Sequence, residues 1–242
     1  MPVTTNKQQF LGQIAATLKK KDKTATAVEA PTRSVLEEVI YAILREGATT
    51  PQADTAFQKI KQVFFDWNEV RVSSVQEVAD ALDDLPDAGV KGQRVVSFLQ
   101  EVFEERYSFD LNDIAKKDGL KRATKQLARY KGGVTDFSVA WMAQRAFGGH
   151  AIPLDAPTLR VLYRLGVIDE EQPDDLEAIR GSVEHFIPKA KGIEFTETLI
   201  QHALNTCTVK NPECSLCPLK TDCPAGQEFL AKAKEKPKPK SR

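Results

Sequence analysis

Four cysteines, Cys207, Cys214, Cys217 and Cys223, are the only ones in the 242-residue chain, and all fall within the run TCTVKNPECSLCPLKTDC. Their spacing is C-x6-C-x2-C-x5-C. Thiolates this close together suit a tetrahedral metal ion or an iron–sulfur cluster, both of which are commonly held by four cysteines. Pro212, Pro218 and Pro224 punctuate the loops, and proline stiffens a ligand loop by fixing φ. Two disulfides would use the same four residues, but a chain of this length has no need of such staples and no stretch reads as a secretory signal. A zinc ribbon usually carries two C-x2-C knuckles. Here only Cys214 and Cys217 form one, and the uneven six, two, five spacing favours a cubane cluster with one thiolate on each iron.

Composition bounds the partners. Apolar content is ordinary, and no apolar run is long enough to span a bilayer. With no targeting stretch, the expectation is a cytoplasmic protein whose thiols stay reduced and available to metal. The formal charge is zero but unevenly placed: residues 231–242 carry six basic residues and one acid. The rest of the chain is therefore net acidic, which argues against indiscriminate phosphate binding and confines any nucleic-acid footprint to a local patch.

The elements that must position these residues read as helices. Residues 7–20 place Phe10, Leu11, Ile14 and Leu18 on one face. Residues 21–32 read as a linker. From Ser34 the apolar residues follow the spacing of a core helix that Gly47 can end. Helical spacing continues over 51–65, a break falls at Trp67 and Asn68, and Ser74 with Glu77 predicts a capped helix over 75–82. A Pro- and Gly-rich turn then leads into a helix carrying Val95, Phe98, Leu99 and Val102. A polar, helix-compatible stretch follows from Asp110 to about Tyr130. After the turn at Lys131–Gly133, the segment to Gly149 is apolar on most sides and predicts a buried helix, with Trp141 in the core. Further helices are expected over 158–167, 174–186 and 196–207. No strand alternation stands out, so the fold class is all-α with many short helices. Residues 231–242 read as a disordered basic tail.

This order of features resembles the endonuclease III family, the helix-hairpin-helix DNA base-excision glycosylases. The resemblance spans about Gln8 to Cys223. The family's H-G-R-Y-x-C corresponds to His202-Ala203-Leu204-Asn205-Thr206-Cys207, after which all four cysteines fall in register. The family's V-D-T-H-x-x-R-V corresponds to Leu154-Asp155-Ala156-Pro157-Thr158-Leu159-Arg160-Val161, which keeps Asp, Arg and Val but replaces Thr-His. Its A-F-G matches Ala146-Phe147-Gly148, and its earlier Gly-rich turn resembles Gly89-Val90-Lys91-Gly92. The hairpin motif L-P-G-V-G-R-K-T-A reads here Lys131-Gly132-Gly133-Val134-Thr135-Asp136-Phe137-Ser138-Val139. Gly133 is retained, Thr135 replaces the second glycine, and Phe137 stands where the family carries its nucleophilic lysine. The family's base-replacing Gln has no counterpart in Arg45–Thr50, and its Lys-Ala pair falls at Arg94-Val95.

The resemblance implies a two-part fold, with a helical barrel over 28–149 and a cluster domain built from 1–27 and 150–230, the active cleft between them. It also implies a [4Fe–4S] cluster on Cys207, Cys214, Cys217 and Cys223, with His202 beside it, and double-stranded DNA as the partner of a monomeric chain. Hairpin turns hold a phosphate through converging backbone N–H groups. That role falls to Gly132, Gly133 and Thr135 here, with Lys131 nearby, and Lys210 and Lys220 in the cysteine loop are further candidates for phosphate contact, the bland alternative being that both are simply solvated. The bland alternative for the glycines is a plain interhelical turn.

Excising a base needs an acid–base group near the sugar of an extruded nucleotide. A lysine amine would form a Schiff base and permit strand cleavage, and phenylalanine can do neither. A carboxylate alone can activate water or stabilise positive charge developing on the sugar. Asp155 is the candidate catalytic residue, and its alternative role is to cap the helix that follows. The expected function is a monofunctional DNA glycosylase acting on damaged or mismatched bases, without lysine-dependent lyase chemistry; Lys125 and Lys131 are the remote substitutes for the missing amine. Two other classes remain open: a DNA-binding protein that kept the scaffold and lost the chemistry, and a zinc-stabilised helical interaction protein.

Overall fold

A computed structural model describes residues 7–21, 33–116 and 119–235. The residues of the expected linker from 22 to 32, and of the expected tail from 236 to 242, lie outside the described residues. All regular structure among the described residues is helical. The chain divides into two compact units, Glu29–Asp155 and Met1–Val28 with Ala156–Arg242.

The first of these units is organised around α2 (Val35–Arg45). Ser34 and Glu37 close a capping box at its start, and nearly every residue of VLEEVIYAILR is buried. A helix buried on all faces needs neighbours on all faces. It packs against α3 (Thr50–Val63), α6 (Ala88–Arg106), α7 (Asn112–Lys116) and α9 (Asp136–Arg145). The contact with α9 is tied by a buried polar bond, Trp141 Nε1 donating to the Glu38 carboxylate at 2.7 Å. Arg33 meets the same carboxylate at 3.2 Å. Two short helices, α4 (Trp67–Val72) and α5 (Val75–Asp80), pack on α6. Gly92 permits the α5 contact: a Cβ there would lie 3.1 Å from Ala79 N and 3.2 Å from Val75 O. The helix α8 (Leu120–Leu127) packs on α7 and α9.

The second unit centres on α12 (Gly192–Asn205), which touches α1 (Lys7–Lys21) and α10 (Ala156–Arg164). Leu11, Ile14 and Leu18 form the buried face of α1, as their spacing predicts. The helix α11 (Leu176–Phe186) packs on α1, and α13 (Pro224–Glu235) on α10.

Several boundaries differ from the sequence expectation. The break at Trp67 is a helix start, because Asp66 caps it by accepting from Glu69 N at 2.8 Å. Residues 231–235, expected in the tail, continue α13, whose first residue Pro224 suits the opening turn of a helix. The change of unit falls after Asp155 rather than after 149. Ala151, Ile152 and Leu154 are buried, and the Gln144 side chain donates to Ala151 O at 2.6 Å, which ties this segment to α9.

The Trp141–Glu38 bond generates a stability prediction. Trp141→Phe removes a charge-assisted donor and some core volume, so unfolding free energy should fall by about 2–4 kcal/mol. Urea denaturation should show a lower midpoint with an unchanged slope.

Candidate functional site

Asp155 is 5 % exposed, among the buried residues Ile152 and Leu154. Its Oδ2 accepts the Gly47 N–H at 2.9 Å. Gly47 lies in the turn that ends α2 and adopts φ +69, the left-handed region that favours glycine. Three residues earlier, the Leu44 carbonyl accepts a 2.9 Å bond from Lys91 Nζ on α6. The end of α2 therefore holds a carboxylate by an amide and an ammonium by a carbonyl.

Lys91 is 4 % exposed. Burial pushes its ammonium down to about 8, opposed by the negative charges of Glu46, Asp87 and Asp155 nearby. By sequence alone Lys91 belongs to a Gly-rich turn and the candidate amines are Lys125 and Lys131, both of which are exposed. The signal was present: Lys91 falls one helical turn before Val95, on the stripe that buries Phe98, Leu99 and Val102.

Phe137 is 2 % exposed and stacks on Trp141, with ring centroids 5.8 Å apart and planes at 27°. It is a core residue of α9. Thr135 caps that helix by accepting from Ser138 N at 3.3 Å, and its hydroxyl donates to Glu46 Oε2 at 2.8 Å. Arg94 completes the network, donating to Glu46 at 2.9 Å and to the Gly133 carbonyl at 3.0 Å. Gly133 is required by packing: a Cβ would lie 2.5 Å from both Arg94 O and Phe98 Cβ. The turn is thus pressed onto α6. The Gly132 N–H donates to the Glu101 carboxylate, at 3.0 and 3.1 Å from its two oxygens. Of the hairpin residues expected to meet phosphate, Gly132 and Thr135 already hold carboxylates of the chain, and Lys131 is exposed.

The cysteines lie in the other unit. They are not paired as disulfides. All four line one depression of about 400 Å³, part of it open to solvent, together with Val161, Leu165 and Leu219. Donors converge on the sulfurs: Arg164 Nη1 on Cys207 at 3.4 Å, Leu219 N on Cys217 at 3.4 Å and Gly226 N on Cys223 at 3.3 Å. His202 Nε2 lies 3.8 Å from Cys217 Sγ, beside the loop as expected. Burial first, and then the neighbouring sulfur of Cys207, raises the Cys214 thiol, and burial likewise raises that of Cys223. Held as thiolates in this apolar setting, the four sulfurs would need a cationic centre beside them, and the N–H donors fit sulfur that carries charge. Among the described residues no three or more His, Cys, Asp or Glu side chains are arranged to hold a metal ion. Lys210 is exposed in the same loop, whereas Lys220 is turned back onto Ser215 O at 3.2 Å.

Lys91 gives a pH prediction. The unfolded chain holds the lysine proton up to its ordinary value of 10.5, while the folded protein releases it near 8. The unfolded state binds more protons between those values, so stability rises with pH across that window and carries the full burial penalty below it. The wild-type protein should gain on the order of 3 kcal/mol relative to Lys91→Met from pH 8 to 10.5. Parallel urea curves for the two proteins measure the difference.

Comparison with known proteins places this arrangement. No family model matches the chain. It is 26 % identical over 114 residues to an adenine DNA glycosylase of Arabidopsis thaliana, covering 46 % of this chain and 18 % of that protein. It is 24 % identical over 126 residues to an endonuclease III homolog of Encephalitozoon cuniculi (strain GB-M1), covering 51 % of this chain and 52 % of that protein. The chain thus spans about half the length of one curated relative, and less of the other. Among solved structures, a trapped endonuclease III–DNA covalent intermediate superposes with a TM-score of 0.69 at 18 % identity, covering 95 % of this chain and 100 % of that one. A thermostable thymine-DNA glycosylase gives 0.60 at 17 %, covering 94 % and 100 %. The solved structures show that the chain has the helical fold of the endonuclease III type, and the two sequence relatives are similar to it over about half of its length.

Proposed function

We propose that this protein is a monofunctional DNA glycosylase of the endonuclease III type, excising a damaged or mismatched base from double-stranded DNA as a monomer. The observation that carries the proposal is Asp155, a buried carboxylate held by the Gly47 N–H, in the same unit as a hairpin whose Phe137 is core. In this mechanism the base leaves an extruded nucleotide as the C1′–N bond breaks, and positive charge develops on the sugar. Asp155 stabilises that charge and takes a proton from the water whose oxygen adds to C1′. Phe137 has no nitrogen to form an imine, so the abasic site is released without strand cleavage through that position. Lys131 at the turn and Lys210 in the cysteine loop contact phosphates, while Gly132, Gly133 and Thr135 shape the turn.

Cys207, Cys214, Cys217 and Cys223 would hold a [4Fe–4S] cluster, whose contribution is a covalent tie across the last loop. The uneven six, two, five spacing suits a cubane with one thiolate on each iron better than one zinc ion held by paired C-x2-C knuckles. Purified protein should be brown and contain iron and sulfide, and zinc in their place would contradict the assignment. Reduced cysteines suit a cytoplasmic setting, and no helix among the described residues is long and apolar enough to cross a membrane.

A second reading is favoured by the anions at the hairpin, where Glu101 and Glu46 take up the Gly132 N–H and the Thr135 hydroxyl. On it the protein binds DNA without excising a base. Asp155→Asn separates the two, since asparagine keeps an acceptor for the Gly47 N–H and loses the charge. With a panel of damaged duplexes and alkaline cleavage after incubation, excision should fall by about 10²–10⁴-fold while binding persists. No alkali-labile site with any wild-type duplex would leave only the binding reading.

A further inference from the structure

With the hairpin amide of Gly132 already satisfied by Glu101, phosphate contact in this unit falls to side chains rather than to that amide. The segment from Gly119 to Thr135 contains five basic residues, Lys121, Arg122, Lys125, Arg129 and Lys131, and no acid. All five are exposed. Lys121, Lys125 and Arg129 follow one another at four-residue intervals, so they share the outer face of α8 and its C-terminal extension. The opposite face, with Ala123 and Leu127, is buried. Arg129 meets Glu105 at 3.5 Å, an exposed pair of little strength. Lys121, Lys125 and Lys131 form no ion pair with a described residue.

The stability of α8 does not account for this charge. A helix N-terminus carries partial positive charge and favours acids, yet the first turn of α8 has no acid and instead contains Lys121 and Arg122. Only Lys125 and Arg129 lie where cations favour the helix. Since the chain outside the tail is net acidic, such a patch is also a local exception.

We propose that the outer face of α8, made by Lys121, Lys125 and Arg129 and continued by Lys131, is a phosphate-contacting surface for duplex DNA that replaces the hairpin amides. The inference rests on the DNA-binding part of the proposed function. Eight residues of helix extend about 12 Å, which matches three to four phosphates at about 3.4 Å of axis per phosphate on one strand. The contact reads the backbone and not the bases, so it positions the duplex without choosing a sequence.

The test uses the full chain and a fluorescein-labelled duplex, with anisotropy measured across a salt series. Lys121→Gln/Lys125→Gln removes two phosphate contacts, so the log–log salt slope should flatten by about 1.8 and affinity at low salt should fall at least tenfold. Lys121→Glu/Lys125→Glu should weaken binding further. Both positions are exposed, and matching circular dichroism and melting profiles show that the fold is kept. Salt-dependent binding by the wild type with unchanged slope and affinity in both variants would overturn the α8 surface while leaving DNA binding intact. A wild type with no salt-dependent binding would instead overturn the DNA reading itself.

Discussion

A buried indole-to-carboxylate bond holds the hairpin's second helix in place. Trp141 Nε1 donates to Glu38, which also meets Arg33, and Phe137 stacks on the same indole one turn earlier. A buried carboxylate is costly unless several donors satisfy it, so α9 and α2 are locked in one register. The face of α9 that carries Phe137 is then committed to the core. An amine placed on that face beside Trp141 would carry a desolvation cost that the phenyl ring does not.

The end of α2 links this core to the candidate site. Its last turn offers the Leu44 carbonyl to Lys91 and the Gly47 amide to Asp155, while Glu46 joins Arg94 and Thr135 at the hairpin. One short turn therefore sets the positions of a carboxylate, a buried ammonium and the cap of α9. The left-handed conformation of Gly47 makes this possible. On the proposed mechanism, the chemistry depends on a turn rather than on the hairpin loop.

Much of the scaffold was legible in the sequence because local signals and tertiary demand agree. The Ser74–Glu77 box starts a helix where its spacing predicts, the core helix begins after Ser34 as its apolar spacing predicts, and Leu11, Ile14 and Leu18 are buried as their periodicity requires. The cysteines line a single depression. What escaped were charged groups that fold inward. Lys91 and Arg45 look like surface residues, yet both are buried because carbonyls at the end of α2 accept their protons: Leu44 O for Lys91 and Ala48 O for Arg45. The carboxylate of Glu101 on the Gly132 N–H was equally invisible, since its partner lies far away in sequence. Gly133 carried a pattern but not its reason, which is the close approach of Arg94 and Phe98.

The proposed chemistry is that of a carboxylate, Asp155, on a helical scaffold in which Phe137 is a core residue. It is tested most directly by single-turnover reaction on a duplex carrying a damaged base, with base release and strand nicking followed separately and borohydride present in a parallel reaction. Base release without nicking and without a covalent adduct is the predicted result. Nicking that keeps pace with base release, together with a borohydride-trapped protein–DNA adduct, would contradict it and point to an amine elsewhere in the chain.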